Sequence, residues 1–494
     1  MPQPKRRQRR GRPLCGATGR LIGIVAAMLL AVTPVSAQTL TEAFAYAYNN
    51  NPQLLAQRAL LRATDEQVPQ ALAGWRPTVN FTGQAAYNRT GFEVPGVNTT
   101  GAFGQVQGPC NGPAGTTCST PTAFSSFVSK SLDLRITQPI YRGGRTEAAT
   151  RQANNAVQAT RAQTLGVETT VLQAVAQAYL DVVRDQTLVE VARNNEQVLH
   201  KQLDATRDRF RVGEVTRTDV AQAESKLAQA TADRITAEGN LENSRARYVS
   251  VVGHPPGRLL MPRERPVLPA TRDDALSLAA NNNLSVIASS FAERAARDNV
   301  DVVRAQLLPQ ISIVGDLSRS YAPSVTLSGA RLDTASVTAQ LTVPLYEGGA
   351  VYAQTRQAQQ LVGQRRSQVD DARRSAVQTA AQAWETLRAA RAAITSYAAA
   401  VKAAQIALDG TQQEALVGSR TVLDVLLAEQ QLFDTQIQLV RAQHDTALAE
   451  FTLAGATGRL IAAELKLPVQ LYDMNRHYNA VKNKLFGFGG GLTE

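Results

Sequence analysis

The chain has 494 residues, of which 44% are hydrophobic and only 5% are aromatic. So few aromatic side chains argue against a dense globular core and favour extended helices that pack through Ala, Leu and Val. The net charge of +11 comes from 52 basic against 41 acidic residues, but seven of the bases and none of the acids lie in residues 1–37. The remainder is nearly neutral, so the composition argues against nucleic-acid binding.

Residues 1–37 have the features of a secretory signal peptide. A basic stretch precedes an apolar run over 21–32, and Val35-Ser36-Ala37 is a small-residue cleavage site. The apolar run has about 12 residues, whereas a membrane-spanning helix needs about 20. Cys15 lies before the run rather than after it, so no lipid anchor is expected. We predict an exported mature chain; the alternative is a basic N-terminus followed by an anchor helix.

A helix is predicted over 40–73, followed by strands over 78–88 and 127–140. Val79 and Phe81 alternate with polar residues along the first strand, and the second strand has the same period of two. About ten residues at ~3.3 Å each, tilted by ~45°, reach across the hydrocarbon core of a bilayer. A soluble β-sandwich whose sheets each have one solvent-exposed face would show the same pattern.

The segment between these strands is rich in Gly and Thr and contains Cys110 and Cys118, the only cysteines after residue 37. In an exported chain we expect a disulfide between them that closes a small loop. The four histidines are scattered, and there is no zinc, nucleotide or nucleophile motif. We therefore expect no metal, no cofactor and no enzymatic activity.

A very long helix is predicted over 145–212, a turn near 213–219 and a returning helix over 219–252. At 1.5 Å per residue the long helix measures about 100 Å, which exceeds any compact domain. Two sets of mostly apolar residues, each recurring every seven positions, together give this helix a period of 3.5. Such a period is typical of a left-handed coiled coil, although a buried bundle helix is an alternative. The two sets are Val171, Ala178, Asp185, Ala192 and Leu199, and Val175, Val182, Val189, Glu196 and Leu203.

The whole plan occurs twice. Residues 38–252 form the first repeat, a Pro-rich linker covers 253–270, the second repeat covers 271–458, and a tail covers 459–494. The second repeat has a predicted helix over 273–306, predicted strands at 310–321 and 335–345 and a turn near 418–424. The sequences that recur are Asn49-Asn50-Asn51 as Asn281-Asn282-Asn283, Pro139-Ile140-Tyr141-Arg142-Gly143-Gly144 as Pro344-Leu345-Tyr346-Glu347-Gly348-Gly349, and Val212-Gly213 as Val417-Gly418.

Four strands cannot close a membrane barrel, because the smallest such barrels have about eight strands. If the strands cross a membrane, several copies of the chain must therefore combine them. This requirement follows from the strand number alone.

The duplicated Pro-x-Tyr-x-Gly-Gly motifs and Val-Gly-x-x-Thr-x-x-Asp-Val turns resemble those of the TolC-like outer-membrane channels of efflux pumps and type I secretion, over about 40–455. The resemblance implies a mainly α fold with some β structure, built as a duplicated helix–β-hairpin–helical-hairpin unit. It implies a homotrimer with a 12-stranded outer-membrane barrel, four strands per chain, continued by a long periplasmic coiled-coil barrel of helices. The non-lipidated branch of the family fits the absence of a lipid cysteine.

The resemblance also implies a passive exit channel in outer-membrane lipid that extends into the periplasm. Small molecules such as drugs, or secreted proteins, would reach it from an inner-membrane RND-type, ABC-type or similar transporter through a periplasmic adaptor protein. A periplasmic coiled-coil adaptor without its own barrel is the alternative, although it leaves the four amphipathic strands unexplained.

Several site residues follow from the resemblance. Asp424 would form an acidic ring at the pore constriction, and Arg420 would pair with Asp219 to hold the entrance shut. Leu427 and Ala415 replace an aspartate and a tyrosine of the better-known family member. The expected adaptor-docking tips are Gly213, Thr216, Val220, Gly418, Thr421 and Val425. The expected barrel-to-tunnel junction consists of Pro139, Gly143, Gly144, Pro344, Gly348 and Gly349.

The turn residues also have a simpler local interpretation. Thr216 with Asp219, like Thr421 with Asp424, has the spacing of a capping box at the start of a helix. A preceding glycine would end the long helix in the left-handed conformation. Both interpretations can hold together, because the caps shape the tip.

Overall fold

A computed structural model of the chain describes residues 38–93, 97–99, 106–109, 122–262, 264–323 and 329–487. The predicted signal peptide and the predicted disulfide of Cys110 with Cys118 lie outside these ranges.

Each repeat contains short helices, strands and a helical hairpin. The first repeat consists of α1 (Leu40–Asn50), α2 (Pro52–Asp65), α3 (Gln67–Leu72), a 3₁₀ turn (Ala73–Trp75), β1 (Thr78–Glu93), β2 (Val97–Thr99), β3 (Val106–Pro109), β4 (Thr122–Arg142), α4 (Arg145–Arg211) and α5 (Arg217–Val252). The second consists of α6 (Arg272–Asn282), α7 (Leu284–Arg304), a 3₁₀ turn (Ala305–Leu307), β5 (Gln310–Tyr321), β6 (Arg331–Thr342), α8 (Ala350–Leu416) and α9 (Val422–Ala456), with α10 (Met474–Val481) in the tail.

The continuous helix predicted over 40–73 was wrong, and so was its counterpart over 273–306. Asn51 ends α1 and caps α2, where its side-chain oxygen accepts from the Gln53 backbone N–H at 2.9 Å and Pro52 occupies the first helical position. Asn283 separates α6 from α7 in the same way. The amide groups of Asn51 and Asn283 also donate to the carbonyls of Val251 and Ala456, both at 3.1 Å. Each break therefore fastens a short helix to the end of the returning helix.

The four long strands form one antiparallel sheet in the order β1-β4-β5-β6. Phe81 lies opposite Leu134, which in turn lies opposite Leu317, so apolar positions align across the sheet. One face of the sheet is apolar and uncovered in the protomer, with Phe81 69% and Val337 81% exposed. Within the described residues, β1 and β6 each pair on one side only. The sheet thus has two open edges and a bare apolar face.

The helices below the sheet pack in the order α2-α4-α7-α8, which follows the order of the strands. α4 and α8 have 67 residues each, and α5 and α9 return alongside them. The largest apolar core surrounds the middle of α4, where Tyr179 and Tyr248 are buried. In the described parts of the chain, no helix has both the length and the hydrophobicity required for a membrane span.

The predicted 3.5-residue seam of α4 lies inside this packing. All ten of its residues are buried except Glu196, which is half-buried. Its two polar members are paired, Asp185 with Arg184 at 2.8 Å and Glu196 with Arg234 at 2.7 Å. Buried charges are tolerated when they are paired, so these two residues do not interrupt the seam.

The tail returns from the end of α9 along the first repeat. The backbone N–H of Tyr472 donates to the Tyr48 hydroxyl at 3.0 Å, and His477 lies 3.2 Å from buried Asp65. Arg76, just before β1, donates to the carbonyl of Lys484 at 2.8 Å. The tail therefore links the last helices of the chain to the base of the first strand.

Candidate channel entrance and strand–helix junctions

The tip between α4 and α5 is closed by backbone and capping hydrogen bonds. Gly213 has φ +83°, and its N–H donates to the Phe210 carbonyl at 3.0 Å. Thr216 begins α5, where its hydroxyl accepts from the Asp219 N–H at 3.3 Å while the Asp219 carboxylate accepts from the Thr216 N–H at 2.8 Å. This is a capping box, and it holds Asp219 against its own tip.

The tip between α8 and α9 has the same geometry. Gly418 has φ +79°, and the Asp424 carboxylate accepts from the N–H of Thr421 at 2.9 Å and from its hydroxyl at 2.8 Å. These backbone and hydroxyl hydrogen bonds, with a smaller effect from Arg420, lower the pKa of Asp424 below its usual value. In one protomer Asp424 is therefore an ionised, partly exposed carboxylate at the helix start.

Within the protomer, the two side chains of the expected latch have other partners. Arg420 pairs with Glu414 at 2.8 Å, and both side chains are about half exposed. Asp219 accepts from the Thr216 hydroxyl at 2.7 Å. Glu414 directly precedes Ala415 and was not among the predicted site residues. Its role had no sequence signal, because the chain turns between Glu414 and Arg420.

The tips also carry apolar residues that reasoning from sequence left out of the site. Val212 is 72% and Val417 is 80% exposed, and Leu416 beside Val417 is also exposed. The signal was present, since Val212-Gly213 recurs as Val417-Gly418. Val425, by contrast, is buried against Leu408 and Ala415. Val425 thus faces the interior of the hairpin, whereas Val212 and Val417 of the turns face outward.

The two positions at which the sequence departs from the better-known family member differ in exposure. Leu427 is 53% exposed on α9, whereas Ala415 is buried in the tip. A leucine at 427 adds no charge to the tip, and an alanine at 415 adds no hydroxyl. Asp424 is therefore the acidic residue that this tip contributes at the start of α9.

In each repeat, two glycines connect the last strand (β4 or β6) to the long helix (α4 or α8). Gly143 and Gly144 have φ +61° and +78°, and Gly348 and Gly349 have φ +63° and +78°. These left-handed values favour glycine. Gly143 is also crowded, because a Cβ there would lie 2.6 Å from the Cβ of Leu308. The chain therefore turns from sheet to helix in the same way twice, with less space in the first repeat.

The strands reach these turns differently in the two repeats. β4 continues through Pro139, with an irregularity in its pairing with β5 between Pro139 and Tyr141. β6 ends at Thr342, so Pro344 lies after the strand. Of the two prolines, only Pro139 is part of the sheet.

A buried ion cluster joins the two repeats at mid-height, and it was missed from the sequence. The imidazole Nε2 of His444 on α9 lies 2.9 Å from a carboxylate oxygen of Asp181 on α4, and Arg184 lies 2.9 Å from the same carboxylate. Burial opposes the charge of His444, but hydrogen bonds with Asp181 and Asp445 outweigh it and raise the pKa of His444. Burial likewise disfavours the ionised form of Asp181, but His444 and Arg184 lower the pKa of Asp181. The two residues are 263 positions apart, and no local pattern brings them together.

A family model described as "Outer membrane efflux protein" matches residues 45–254 and 275–459, which include all four long strands, both helical hairpins and both tips. The chain belongs to the outer membrane efflux protein family. The TolC-like resemblance, the outer-membrane location and the efflux-channel function predicted from sequence are thereby confirmed, and the adaptor alternative is not supported. The family consists of channel proteins rather than enzymes.

Individual relatives agree with this assignment. The chain is 33% identical over 474 residues to the outer membrane efflux protein BepC of Brucella suis biovar 1, a match that covers 94% of this chain and 96% of BepC. It is 27% identical over 433 residues to the outer membrane protein TolC of Vibrio cholerae, covering 86% of this chain and 92% of TolC.

Solved structures support the fold. A crystal structure of CusC superposes with a TM-score of 0.71 at 17% identity, covering 85% of this chain and 92% of the CusC chain. The mainly helical fold with a four-stranded antiparallel sheet is therefore confirmed as that of a TolC-like channel.

Proposed function

We propose that three copies of this chain close one twelve-stranded barrel in outer-membrane lipid and one helical tunnel in the periplasm. The observation that carries the proposal is the open sheet: among the described residues, β1 and β6 each have an unpaired edge, and the apolar face is uncovered. Unpaired backbone groups are not tolerated in lipid, so the edges must pair with those of other copies. Twelve strands lie well within the range of membrane barrels.

The assembled channel is a passive exit for small molecules, secreted proteins or both. An inner-membrane transporter of the RND, ABC or a similar type supplies the energy, and a periplasmic adaptor joins it to the tips. The exposed apolar pair Val212 and Val417, next to Gly213 and Gly418, supports docking at the tips, because exposed apolar patches mark interaction surfaces. Thr216 and Thr421 hold these turns in shape, and Val220 and Val425 pack beneath them.

In the closed trimer, Asp424 from three copies forms an acidic ring at the constriction. Arg420 exchanges Glu414 for Asp219 of the first hairpin when the entrance shuts. An exposed ion pair such as Arg420–Glu414 contributes little stabilising free energy, so breaking it to form the new pair costs little. The two-glycine turns, with Pro139 and Pro344, form the junction between barrel and tunnel.

Single-channel recording of the purified full-length protein in planar lipid bilayers tests this function. The wild type is expected to form small, stable channels, because the entrance is closed at rest. Arg420→Ala and Asp219→Ala are each expected to raise the conductance, whereas Glu414→Ala leaves it unchanged or lowers it. Unchanged conductance in both latch variants would contradict the latch.

The constriction has its own test in the same recordings. Divalent cations added to the periplasmic side are expected to block the wild type and to block Asp424→Ala much less, because three like carboxylates attract cations. Leu427→Asp, which adds a second acidic ring, is expected to strengthen the block. Equal block in all three proteins would place Asp424 outside the pore.

A further inference from the structure

The duplication places a glutamate at the same position in both returning helices. Glu224 in α5 and Glu429 in α9 are separated by the offset of 205 that relates the two tips, and so are Arg207 in α4 and Gln412 in α8. In the first hairpin, Arg207 binds Glu224 at 2.7 Å, and both side chains are about half exposed. In the second hairpin, the neutral Gln412 is the hydrogen-bonding neighbour of Glu429. The same contact is thus an ion pair in one repeat and lacks a cation in the other.

Glu429 is buried near the tip. Glu429 is only 4% exposed, and its Oε2 atom has no hydrogen-bond partner in the described part of the chain. One turn before it, Val425 is buried with α8 residues and Leu426 with residues of α4 and α5. An ionised carboxylate without a partner is costly in such a place, so this packing favours the neutral acid.

Ionisable groups on the surrounding helices do not supply the missing partner, because most are bound elsewhere and two lysines do not reach the Oε2 atom of Glu429. The groups bound elsewhere are Asp409 with Gln405 on α8, Glu414 of α8 with Arg420 of the turn, Asp204 with His200 on α4, Arg207 of α4 with Glu224 of α5, Asp424 with Thr421 at the start of α9, and Asp434 with Gln430 along α9. Lys201 on α4 is exposed and Lys226 on α5 is half-buried, and neither bonds the Oε2 atom of Glu429 in the described part of the chain. Burial therefore raises the pKa of Glu429 to about 7, against the weaker, lowering effect of Gln412.

We propose that Glu429 is a proton-sensitive gating residue: the packed second hairpin holds it as a neutral acid, and its ionisation favours movement of that hairpin away from the first. The inference rests on the proposed role of the tips as the channel entrance. When the hairpins separate, the carboxyl meets water and returns to an ordinary pKa, so separation is coupled to loss of its proton.

The sign of the effect follows from the two pKa values. Below the ordinary value of 4.5 the carboxyl is neutral in both states, and packing is unhindered. As the pH rises from there to about 7, the free energy of the separated state falls relative to that of the packed state. Above about 7 this free-energy difference no longer changes with pH. The packing equilibrium is expected to change by roughly 100-fold over this window. Acid therefore closes the entrance and neutral pH loosens it.

Planar-bilayer recordings of the full-length trimer from about pH 4.5 to about pH 8 test the inference. The open fraction of the wild type is expected to rise with pH across the window. Glu429→Gln, which is neutral throughout, should stay at the low, acid level. Gln412→Arg recreates the Arg207 ion pair, keeps Glu429 charged while packed, and should also lose the pH dependence. Glu224→Gln is the matched control and should keep the wild-type profile.

Two results would overturn the inference. One is a wild-type open fraction that does not change with pH, and the other is a wild-type pH profile in both Glu429→Gln and Gln412→Arg. In the second case another group, such as Asp424 or His444, carries the effect. Heat-modifiable trimers on gels show that each variant is assembled, and Gln412→Arg decides the matter if Glu429→Gln does not assemble. Complete absence of wild-type conductance would contradict the channel function itself, which distinguishes that failure from a failure of the gate.

Discussion

The long helices of the two repeats have the same length but very different surroundings. α4 buries 24 of its 67 residues, whereas α8 buries only eight of 67. α4 lies between α2 and α7, while α8 lies at the end of the helical layer. Their tips, glycine turns and capping boxes are nonetheless the same. The local motifs were therefore duplicated with the sequence, but burial depends on position in the protomer, and the bare side of α8 is available to another copy.

The largest expected difference between the repeats is at the strand–helix turns. Gly143→Ala should destabilise the protein by more than about 3 kcal/mol, because it adds a collision with Leu308 and with the Ala305 carbonyl to the left-handed strain. Gly348→Ala meets no atom within 4 Å and should cost only about 1–2 kcal/mol. The yield of trimer in the outer-membrane fraction measures both. Equal yields would mean that the crowding at Gly143 relaxes.

A second large effect is expected where the repeats meet. His444→Ala removes the imidazole between α9 and Asp181 and should cost about 3 kcal/mol, the lower end for a broken buried pair, because Arg184 still binds the carboxylate. The shift of the thermal unfolding midpoint measures it at fixed protein concentration. An unshifted midpoint would show that the cluster does not hold the repeats together.

The pH dependence of the same midpoint separates the charge of His444 from its packing. Because the pKa of His444 is raised, its contribution is full below 6.5 and is lost as the pH rises through the raised value. The pKa of Asp181 is lowered, so its contribution is full above 3.8 and is lost as the pH falls through the lowered value. His444→Gln keeps a donor but cannot become charged. It should lack the loss at high pH while keeping the loss at low pH.

The capping boxes should behave alike in the two repeats. Thr216→Ala and Thr421→Ala each remove a side-chain acceptor for a backbone N–H and should cost about 1 kcal/mol at the tip. Hydrogen exchange of the Asp219 and Asp424 amides measures the local loss of protection. Clearly unequal acceleration would show that the two tips are held by different contacts.

The smallest effect is expected at the exposed ion pair of the first hairpin. Arg207→Gln makes this contact resemble Gln412–Glu429, but Glu224 remains exposed to water, so the cost should be well below about 1 kcal/mol. The thermal unfolding midpoint should hardly move. A shift as large as that of His444→Ala would mean that Glu224 is buried in the trimer.

Features with a short period could be predicted from the sequence. The alternation of Val79 and Phe81 predicted a sheet with one apolar face, and the period of 3.5 in α4 predicted the buried seam. Both depend on residues a few positions apart, whose geometry is set by the backbone. The duplication of the sequence also made it possible to predict the order of helices and strands in both repeats.

Features that depend on distant contacts could not be predicted. His444 meets Asp181, and the tail meets α2 through Asp65 and His477, across hundreds of residues. The Asn-rich sequences that end at Asn51 and Asn283 were a local signal for the helix breaks, and Pro52 strengthened the first one. Both segments were nonetheless predicted as continuous helices. The partner of Arg420 depends on the shape of the turn and on the other copies of the chain.

The number of chains in the assembled protein tests the account most directly. Native mass spectrometry of the full-length protein, extracted from outer membranes in mild detergent, is expected to give the mass of three chains that remain together until the protein is heated. A folded single chain of the mass of one copy, with its sheet edges still unpaired, would contradict the shared barrel and with it the function derived from it.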